Sequence, residues 1–332
     1  MSGKFSSFRK RRDFVKTLAG APLMAAFPGI LSGSTETLNA ERLKSPEGNL
    51  PEGKLGNITL SRMLIGSNQI NGYAHARDLR YANTLFKAYH TDEKVIETLH
   101  LAEAAGITAS FMTNQSYPVF NRYLKAHNGK MKSICQTYLK AEDFLGDIDR
   151  AVDSGANALY IQGGEADRYV REGKITELGK ALEHIKKKGY MAGVGAHALT
   201  VLKTCEKENL PADFYVKTFH HDRYWSAHPM DQRVEFSVDN QRSEDHNQIH
   251  DNMFDLFPDQ TIDFMKNIKK PWIAFKVLAG GAILPADGFR YAFENGADFI
   301  CVGMFDFQVV DNVNTANKVL AGLKNRERSW FS

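Results

Sequence analysis

The sequence predicts one α/β barrel of eight parallel strands, preceded by a basic N-terminal segment. Eight short apolar segments alternate with helical patterns, and eight is the number of strands that closes such a barrel. The first apolar segment continues as Leu64-Ile65-Gly66-Ser67-Asn68-Gln69, without the Gly-rich phosphate loop typical of an open, doubly wound sheet. A composition of 43% hydrophobic and 24% charged residues over 332 positions is that of a globular enzyme. Three widely spaced cysteines exclude a disulfide framework and a Cys-x-x-Cys zinc site.

The elements follow one another in regular strand–helix units. Gly106, Gly155, Gly189 and Gly296 stand where a helix should end before the next strand. The predicted strands are Ser61–Gly66, Thr108–Thr113, Lys132–Thr137, Ala158–Gln162, Met191–Gly195, Phe214–Thr218, Trp272–Val277 and Phe299–Val302. The predicted helices are Glu93–Ala105, Phe144–Ser154, Ile175–Lys188, Leu199–Glu208, Thr261–Lys269, Asp287–Asn295 and Val310–Leu323.

A barrel of this kind carries its site at the carboxyl ends of the strands, in the loops that follow them. Two of those segments, Ser67–Thr91 and His220–Gln260, are longer than a connection requires. We therefore expect them to act as lids or binding loops. In the second, Trp225 and neighbouring carboxylates suit the binding of a sugar face and its hydroxyl groups, and they would equally suit a solvated lid.

Residues 1–34 resemble a twin-arginine export signal. Arg11 and Arg12 precede Phe14 and Lys16, and a mostly apolar stretch, Thr17–Leu31, follows. We expect cleavage between Gly33 and Ala40, residues 35–53 as a linker, and a periplasmic or otherwise exported protein without a stable membrane anchor. The first 34 residues hold six Lys/Arg and one Asp, which leaves 36 Lys/Arg and 38 Asp/Glu, a net charge of −2. The expected partner is therefore a small-molecule substrate and not nucleic acid.

Segments across residues 54–325 resemble the aldo/keto reductase superfamily. They are Gly56–Gly66, Gly106–Tyr117, Leu178–His197, Phe275–Gly281 and Val302–Met304, in the order in which that family has its hairpin and its first, second, fifth, seventh and eighth strands. The resemblance implies a (β/α)8 (TIM) barrel, NADP as cofactor and a small polar carbonyl or sugar-like substrate. It assigns Tyr117 as a catalytic acid. It assigns the cofactor phosphates to Lys276, Gly280, Gly281, Gly303 and Met304.

This sequence departs from the family at three of the four reductase positions. Met112, Gln136 and Gln162 replace the family's Asp, Lys and His. A tyrosine without a neighbouring cation is a poor acid at neutral pH, so hydride transfer by this tetrad is in question. The two glutamines suit hydrogen bonding to a polyol, and with Asn68 and Trp225 they form the predicted substrate-binding set.

Three other functions follow from the residues at the strand ends. His197, His220 and Asp306 could hold a divalent metal for isomerase, epimerase or lyase chemistry. Lys217 with Lys276 is similar to the deoxyribose-phosphate aldolase pattern, in which a lysine forms a Schiff base with a carbonyl substrate. A barrel that binds a ligand without turning it over is the third.

The end of the sixth strand gives a specific expectation about orientation. Side chains alternate along a strand, so Lys217 and His221 share one face, and Val216 and His220 share the other. Because a lysine is costly to bury against helices, we predict that Lys217 and His221 face the barrel mouth as catalytic residues.

Overall fold

The computed structural model describes residues 45–75, 79, 81–236 and 255–331. The predicted signal peptide, residues 1–34, and most of the predicted linker lie outside these residues. Each of the eight predicted strands forms, and together they close into a parallel barrel in which the last strand pairs with the first. They are β3 (Met63–Ile65), β4 (Ala109–Met112), β5 (Lys132–Thr137), β6 (Ala158–Ile161), β7 (Met191–Ala196), β8 (Phe214–Thr218), β9 (Trp272–Phe275) and β10 (Phe299–Val302).

An antiparallel hairpin of β1 (Glu52–Leu55) and β2 (Ile58–Ser61) precedes the barrel. Leu55 and Leu60 are fully buried and belong to the hydrophobic cluster of the barrel interior. The turn contains Gly56 at φ 61°, and a Cβ there would lie 2.5 Å from the Met191 Sδ, so only glycine fits this close approach. The hairpin therefore closes the amino-terminal end of the barrel, and a ligand has access from the opposite end, here called the mouth.

Ten helices are described. They are α1 (Ala82–Tyr89), α2 (Asp92–Ala104), α3 (Tyr117–His127), α4 (Gly146–Asp153), α5 (Gly163–Arg171), α6 (Ile175–Lys187), α7 (Leu199–Lys207), α8 (Pro258–Met265), α9 (Pro285–Glu294) and α10 (Val309–Ala321). The seven predicted helices correspond to members of this set, and α1, α3 and α5 were not predicted. None of the described helices is both long and apolar enough to cross a membrane.

Strand alternation separates two cores. Leu64, Phe111, Ile134, Val216 and Ile273 point into the barrel interior. The residues next to them along the same strands belong to a second core, which lies between the barrel and its helices and is here called the outer core. Among them are Met63, Met112, Cys135, Tyr215 and Trp272. The position of a residue in this alternation therefore decides whether its side chain can reach the mouth.

The C-terminal residues bind the amino-terminal end of the barrel. Arg328 and Asp298 form a buried ion pair with 2.8 Å between Nη1 and Oδ2, and the Phe331 backbone N–H donates to Asp298 at 2.9 Å. The Arg326 guanidinium lies 3.4 Å from the centre of the Trp330 ring, and Arg62 lies on the same ring at 4.0 Å. These contacts join the chain end to the first barrel strand.

Candidate active site at the barrel mouth

The side chain of His197, directly after β7, is held by Asp167 of α5. The His197 Nδ1 lies 2.7 Å from Asp167 Oδ2, and the backbone N–H groups of His197 and Ala198 donate to the same carboxylate at 3.1 to 3.3 Å. Gly163 and Gly195 permit this packing, because a Cβ on Gly195 would lie 2.8 Å from the Gly163 nitrogen. With Nδ1 bonded to a carboxylate, the ring has a fixed orientation, with Nε2 directed away from Asp167.

The pKa of His197 reflects opposing influences. Burial lowers it below its ordinary value, while the hydrogen bond and the charge of Asp167 raise it in part. The positive charge of Lys276 lowers it further. The neutral imidazole is therefore the favoured form at neutral pH, and a neutral imidazole can accept a proton.

Lys276 follows β9 directly and has the left-handed conformation, with φ 57°, which is uncommon for a residue other than glycine. Its Nζ lies 2.5 Å from His75 Nε2, on the long loop that follows β3. The Asn68 amide nitrogen, which can only donate, lies 3.2 Å from the same His75 atom. His75 Nε2 is therefore an acceptor, and the Lys276 amine donates to it.

Burial holds the pKa of Lys276 well below its ordinary value. The pKa of His75 is also well below its ordinary value, first because of burial and then because of the charges of Lys276 and His197. Three basic groups so close to one another cannot all be protonated, because each charge disfavours the others. The arrangement therefore favours a neutral amine on Lys276, which is the form that attacks a carbonyl carbon.

Across the barrel from β9, the mouth is lined by three hydrogen-bonded polar side chains, which belong to β5, to the residue that follows it and to β6. The Tyr160 hydroxyl donates to the Gln136 Oε1 at 3.0 Å, and the Gln136 Nε2 donates to the Tyr138 oxygen at 3.2 Å. Burial, followed by the neighbouring Tyr73, Asp147 and Glu165, raises the pKa of Tyr138 to about 12. This wall is therefore neutral at physiological pH.

Tyr117, predicted as a catalytic acid, lies outside the mouth. It is the first residue of α3, it is buried in the core between barrel and helices, and its hydroxyl donates to Ser133 at 3.1 Å. Burial and the neighbouring Cys135 raise its pKa further above the ordinary value. The structure does not bring Tyr117 together with Gln136 and Gln162 at one site.

The predicted orientation of Lys217 is wrong. Val216, the residue before Lys217, points into the barrel interior. Because side chains alternate along β8, Lys217 points the other way, toward the outer core. It is fully buried there, with its Nζ 3.2 Å from Asp255 Oδ1 and 2.8 Å from the Thr218 carbonyl oxygen. The cost of burying the lysine is offset by a buried carboxylate that precedes α8, which the sequence argument did not include.

His221 and His220 are also held away from the predicted arrangement. The His221 ring packs edge-on against Tyr291 of α9 at 5.5 Å, so His221 faces a helix and its predicted orientation toward the mouth is wrong. The His220 Nδ1 donates to the His221 carbonyl oxygen at 2.9 Å, and its Nε2 accepts from the Asp255 backbone N–H at 3.4 Å. Both histidines are buried.

Asp306 does not meet His197 and His220. It accepts a hydrogen bond from Tyr89 at 2.5 Å and pairs with Lys94 of α2 at 3.1 Å. Burial alone would raise the pKa of Asp306, but these two partners lower it below its ordinary value. No group of three or more His, Cys, Asp or Glu side chains in the described part of the chain is arranged to hold a metal ion. The described residues therefore do not fit the predicted metal site.

The remaining predicted substrate-binding residues divide between the mouth and other positions. Asn68 contacts His75, as described above, and Gln136 lines the mouth. The Gln162 side chain caps α5 by accepting from the Glu165 backbone N–H at 2.9 Å. Trp225 is 79% exposed on the loop after β8.

The residues predicted to hold the phosphates of NADP do not fit that group. Gly280 and Gly281 belong to a single 3-10 turn, in which the N–H groups of Ala279, Gly281 and Ala282 donate to nearby backbone carbonyl groups, those of Lys276, Leu278 and Ala279. A Cβ on Gly303 would lie 2.1 Å from the Gln69 Oε1, so that side chain covers the strand end where a phosphate would bind. Met304 is buried in the outer core. We therefore derive no step through a nicotinamide.

Sequence reasoning missed three residues of this site: His75, Asp167 and Tyr138. His75 lies on a loop whose length had marked it as a binding loop, so that length was a usable signal. Asp167 and Tyr138 carry no motif. They become visible only when α5 and the end of β5 are placed beside the mouth.

Comparisons with known proteins support the fold. No protein-family model matches the chain, and no curated protein matches it. Among solved structures it is similar to a provisionally assigned aldo-keto reductase from Pseudomonas aeruginosa, with a TM-score of 0.56 and 14% identity, over 85% of this chain and 99% of that one. It is also similar to an N-acetylneuraminic acid (sialic acid) synthetase from Leptospira borgpetersenii, with a TM-score of 0.40 and 10% identity, over 83% and 92%. The first likeness shows that the two chains share the barrel fold, as the resemblance found in the sequence predicts.

Proposed function

We propose that this protein is an enzyme that acts on a small carbonyl compound through the amine of Lys276. The observation that carries the proposal is the 2.5 Å contact between the Lys276 Nζ and the His75 Nε2, with Lys276 partly buried and its pKa well below the ordinary value. Two nitrogen bases at this distance favour an uncharged amine. An uncharged amine at the carboxyl end of a barrel strand is in the region where barrels of this kind act on substrates.

The proposed chemistry begins with attack of the Lys276 nitrogen on the carbonyl carbon. The nitrogen lone pair forms a C–N bond, the carbonyl π electrons move to oxygen, and proton transfer gives a carbinolamine. Protonation of the carbinolamine hydroxyl by solvent and loss of one water molecule then give a protonated imine. This imine withdraws electrons from the neighbouring carbon, and His197 is the base that would take a proton there, with Asp167 stabilising the resulting imidazolium. Proton abstraction of this kind underlies isomerase, epimerase and lyase reactions.

The two lysines of the aldolase-like hypothesis are separated in this proposal. Lys217 is paired with Asp255 on the outer face of β8, so its charge does not lower the pKa of Lys276 from inside the mouth. Burial of Lys276 has that effect instead. Export by the twin-arginine pathway remains part of the proposal. Reduction with NADPH, the activity implied by the reductase resemblance, is the rival to the lysine function, and a fluorescence titration of the purified protein with NADPH is the test.

Borohydride trapping tests the lysine function. The protein is incubated with single aldehydes and ketones of two to six carbons, reduced with borohydride, digested and analysed by mass spectrometry. We expect an irreversible adduct on Lys276 that forms faster than on any other lysine. The matched control is Lys276→Met, which retains Lys217 and the surface lysines. Equal labelling of the control, or labelling spread evenly over exposed lysines, would overturn the proposal.

A further inference from the structure

The polar wall opposite Lys276 has a fixed direction of hydrogen bonding. Tyr160 lies in the barrel interior, 4% exposed, with the Phe111 ring 5.2 Å away, and its hydroxyl has Gln136 as its partner. If the Gln136 amide were reversed, the Tyr160 hydrogen would lack an acceptor in an apolar interior, which costs free energy. The Gln136 Oε1 therefore faces Tyr160, and its Nε2 faces Tyr138.

This direction of hydrogen bonding leaves the Tyr138 hydroxyl, the last of the three polar groups, as a donor. Because the Gln136 Nε2 donates to the Tyr138 oxygen, the Tyr138 hydrogen must go to another acceptor. Within residues 45–75, 79, 81–236 and 255–331, no side chain or carbonyl group accepts it. The second hydrogen of the Gln136 amide is in the same situation. Two donors at the carboxyl end of β5 are thus available to an oxygen atom of a ligand.

The charges around this wall favour a neutral oxygen over an anion. Asp147 accepts from the Tyr138 backbone N–H at 2.9 Å, and Glu165 accepts from the Leu139 backbone N–H at 3.2 Å. The negative charges of both carboxylates act on the Tyr138 hydroxyl. A phosphate or carboxylate of a ligand would be repelled here, whereas a hydroxyl oxygen would accept from Tyr138 without that cost.

We propose that the Gln136–Tyr138 wall selects carbonyl compounds that carry hydroxyl groups, so that the substrate class is a neutral hydroxyaldehyde or hydroxyketone. This inference rests on the proposed function, in that Lys276 binds the carbonyl end while the wall binds a hydroxyl. β5 and β9 are four strands apart in the closed barrel of eight, so the two groups approach a ligand from opposite sides.

The test compares two aldehydes of equal carbon number, D-erythrose and butanal, by the rate of borohydride-trapped adduct formation at Lys276. We expect the erythrose-to-butanal ratio of rates to fall about three- to tenfold in Tyr138→Phe, the effect of one lost hydrogen bond. The matched control is Tyr190→Phe, the same change directly before β7, at the amino-terminal end of the barrel, which should keep the ratio within about twofold of wild type. An unchanged ratio in Tyr138→Phe, or an equal fall in Tyr190→Phe, would overturn the inference.

A second measurement separates this inference from the lysine function. Erythritol has the hydroxyl groups of erythrose but no carbonyl group, so its binding, followed by calorimetry, does not depend on Lys276 chemistry. If no adduct forms at Lys276 but erythritol binds wild type more tightly than Tyr138→Phe, the lysine function fails and the hydroxyl selection stands. If adducts form and neither the rate ratio nor erythritol binding responds to Tyr138→Phe, the selection fails alone. If erythritol does not bind and no adduct forms, both fail.

Discussion

The His197 Nδ1 lies 2.7 Å from the Asp167 Oδ2, and this contact joins two consecutive strand–helix units of the barrel. Asp167 is 4% exposed and also accepts from the backbone N–H groups of His197 and Ala198. The carboxylate therefore orients the imidazole and its strand end at once. A carboxylate so bonded to a histidine at a strand end is typical of a base held in one orientation.

Replacing the carboxylate should change the pH dependence of the reaction. In Asp167→Asn, the attraction that raises the pKa of His197 is lost, so that pKa falls further below its ordinary value. We expect the rate of the reaction that proceeds through the Lys276 imine to fall about 100-fold or more, the scale of a general base. The acidic limb of its pH–rate profile should move to lower pH. The measurement is the pH profile of proton exchange at the carbon next to the carbonyl group of a substrate that forms the adduct, made without borohydride. A profile with an unmoved limb and only a lower melting temperature would indicate a structural role.

Lys217 and Lys276 should respond in opposite ways to the same substitution. Lys217→Met leaves Asp255 buried without its counter-charge, which typically costs about 3–5 kcal/mol in the free energy of unfolding. Lys276→Met removes a partly buried amine whose charged form is already disfavoured, so stability should be unchanged or higher, while adduct formation is lost. Urea unfolding of both variants, with trapping on the folded protein, makes the comparison. A stable, inactive Lys217→Met would contradict the assignment.

The barrel was predictable from the sequence because each strand is a short apolar segment, most are followed by a helical pattern, and four of these patterns end at a glycine. The three missed helices lack that signal. The α5 helix begins Gly163-Gly164, two poor helix formers, and is stabilised by the Gln162 cap and by packing against β7. The α1 helix has no fully buried side chain, and α3 begins with Tyr117-Pro118 directly after a 3-10 turn.

The site was less predictable, because it depends on which face of each strand is inward. Alternation correctly grouped Lys217 with His221, but the choice of face failed since the partner of Lys217, Asp255, is 38 residues away in the sequence. The same holds for His75 and Lys276, which are 201 residues apart. Such pairings are set by the closure of the barrel, which local sequence patterns do not contain.

The buried ion pair at the amino-terminal end of the barrel should be essential for stability. In Arg328→Met, Asp298 keeps its backbone donors but loses its buried counter-charge, and we expect a loss of about 3–5 kcal/mol in the free energy of unfolding. The control is Arg122→Met, which removes an ion pair with Asp92 whose side chains are 53% and 61% exposed and should cost less than about 1 kcal/mol. Equal losses in urea unfolding would refute this distinction.

Export can be tested at the two arginines of the N-terminal segment, which lies outside the described residues. The double substitution Arg11→Lys and Arg12→Lys preserves charge but removes the twin arginine, so it should retain the full-length protein in the cytoplasm. The control is Arg9→Lys, outside the pair, which should leave export and cleavage near Gly33 to Ala40 unchanged. Cell fractionation and N-terminal mass analysis measure both. An uncleaved wild-type protein in the cytoplasm would contradict the proposal.

His90, at the end of α1, gives a prediction about pH and stability. It is 6% exposed, its ring stacks on Phe305 at 5.2 Å, and neither ring nitrogen has a hydrogen-bond partner among the described residues. Burial lowers its pKa below the ordinary 6.5, Asp306 opposes that change and Lys94 adds to it. As pH falls below 6.5, the unfolded chain binds a proton at this position that the folded chain does not. The folded state therefore loses stability in that range.

His90→Phe should remove both effects. At pH 7.5 the variant no longer buries two unpartnered nitrogens, and we expect the free energy of unfolding to stay level or to rise by about 1 kcal/mol. Between pH 7 and 5.5 it should lose about 0.5–1 kcal/mol less than wild type, because one titrating group has been removed. The control is His184→Phe, which loses a hydrogen bond to Asp149 and should be destabilised instead. Urea unfolding at the three pH values decides the matter: a parallel pH dependence in wild type and His90→Phe would show that His90 does not titrate in this range.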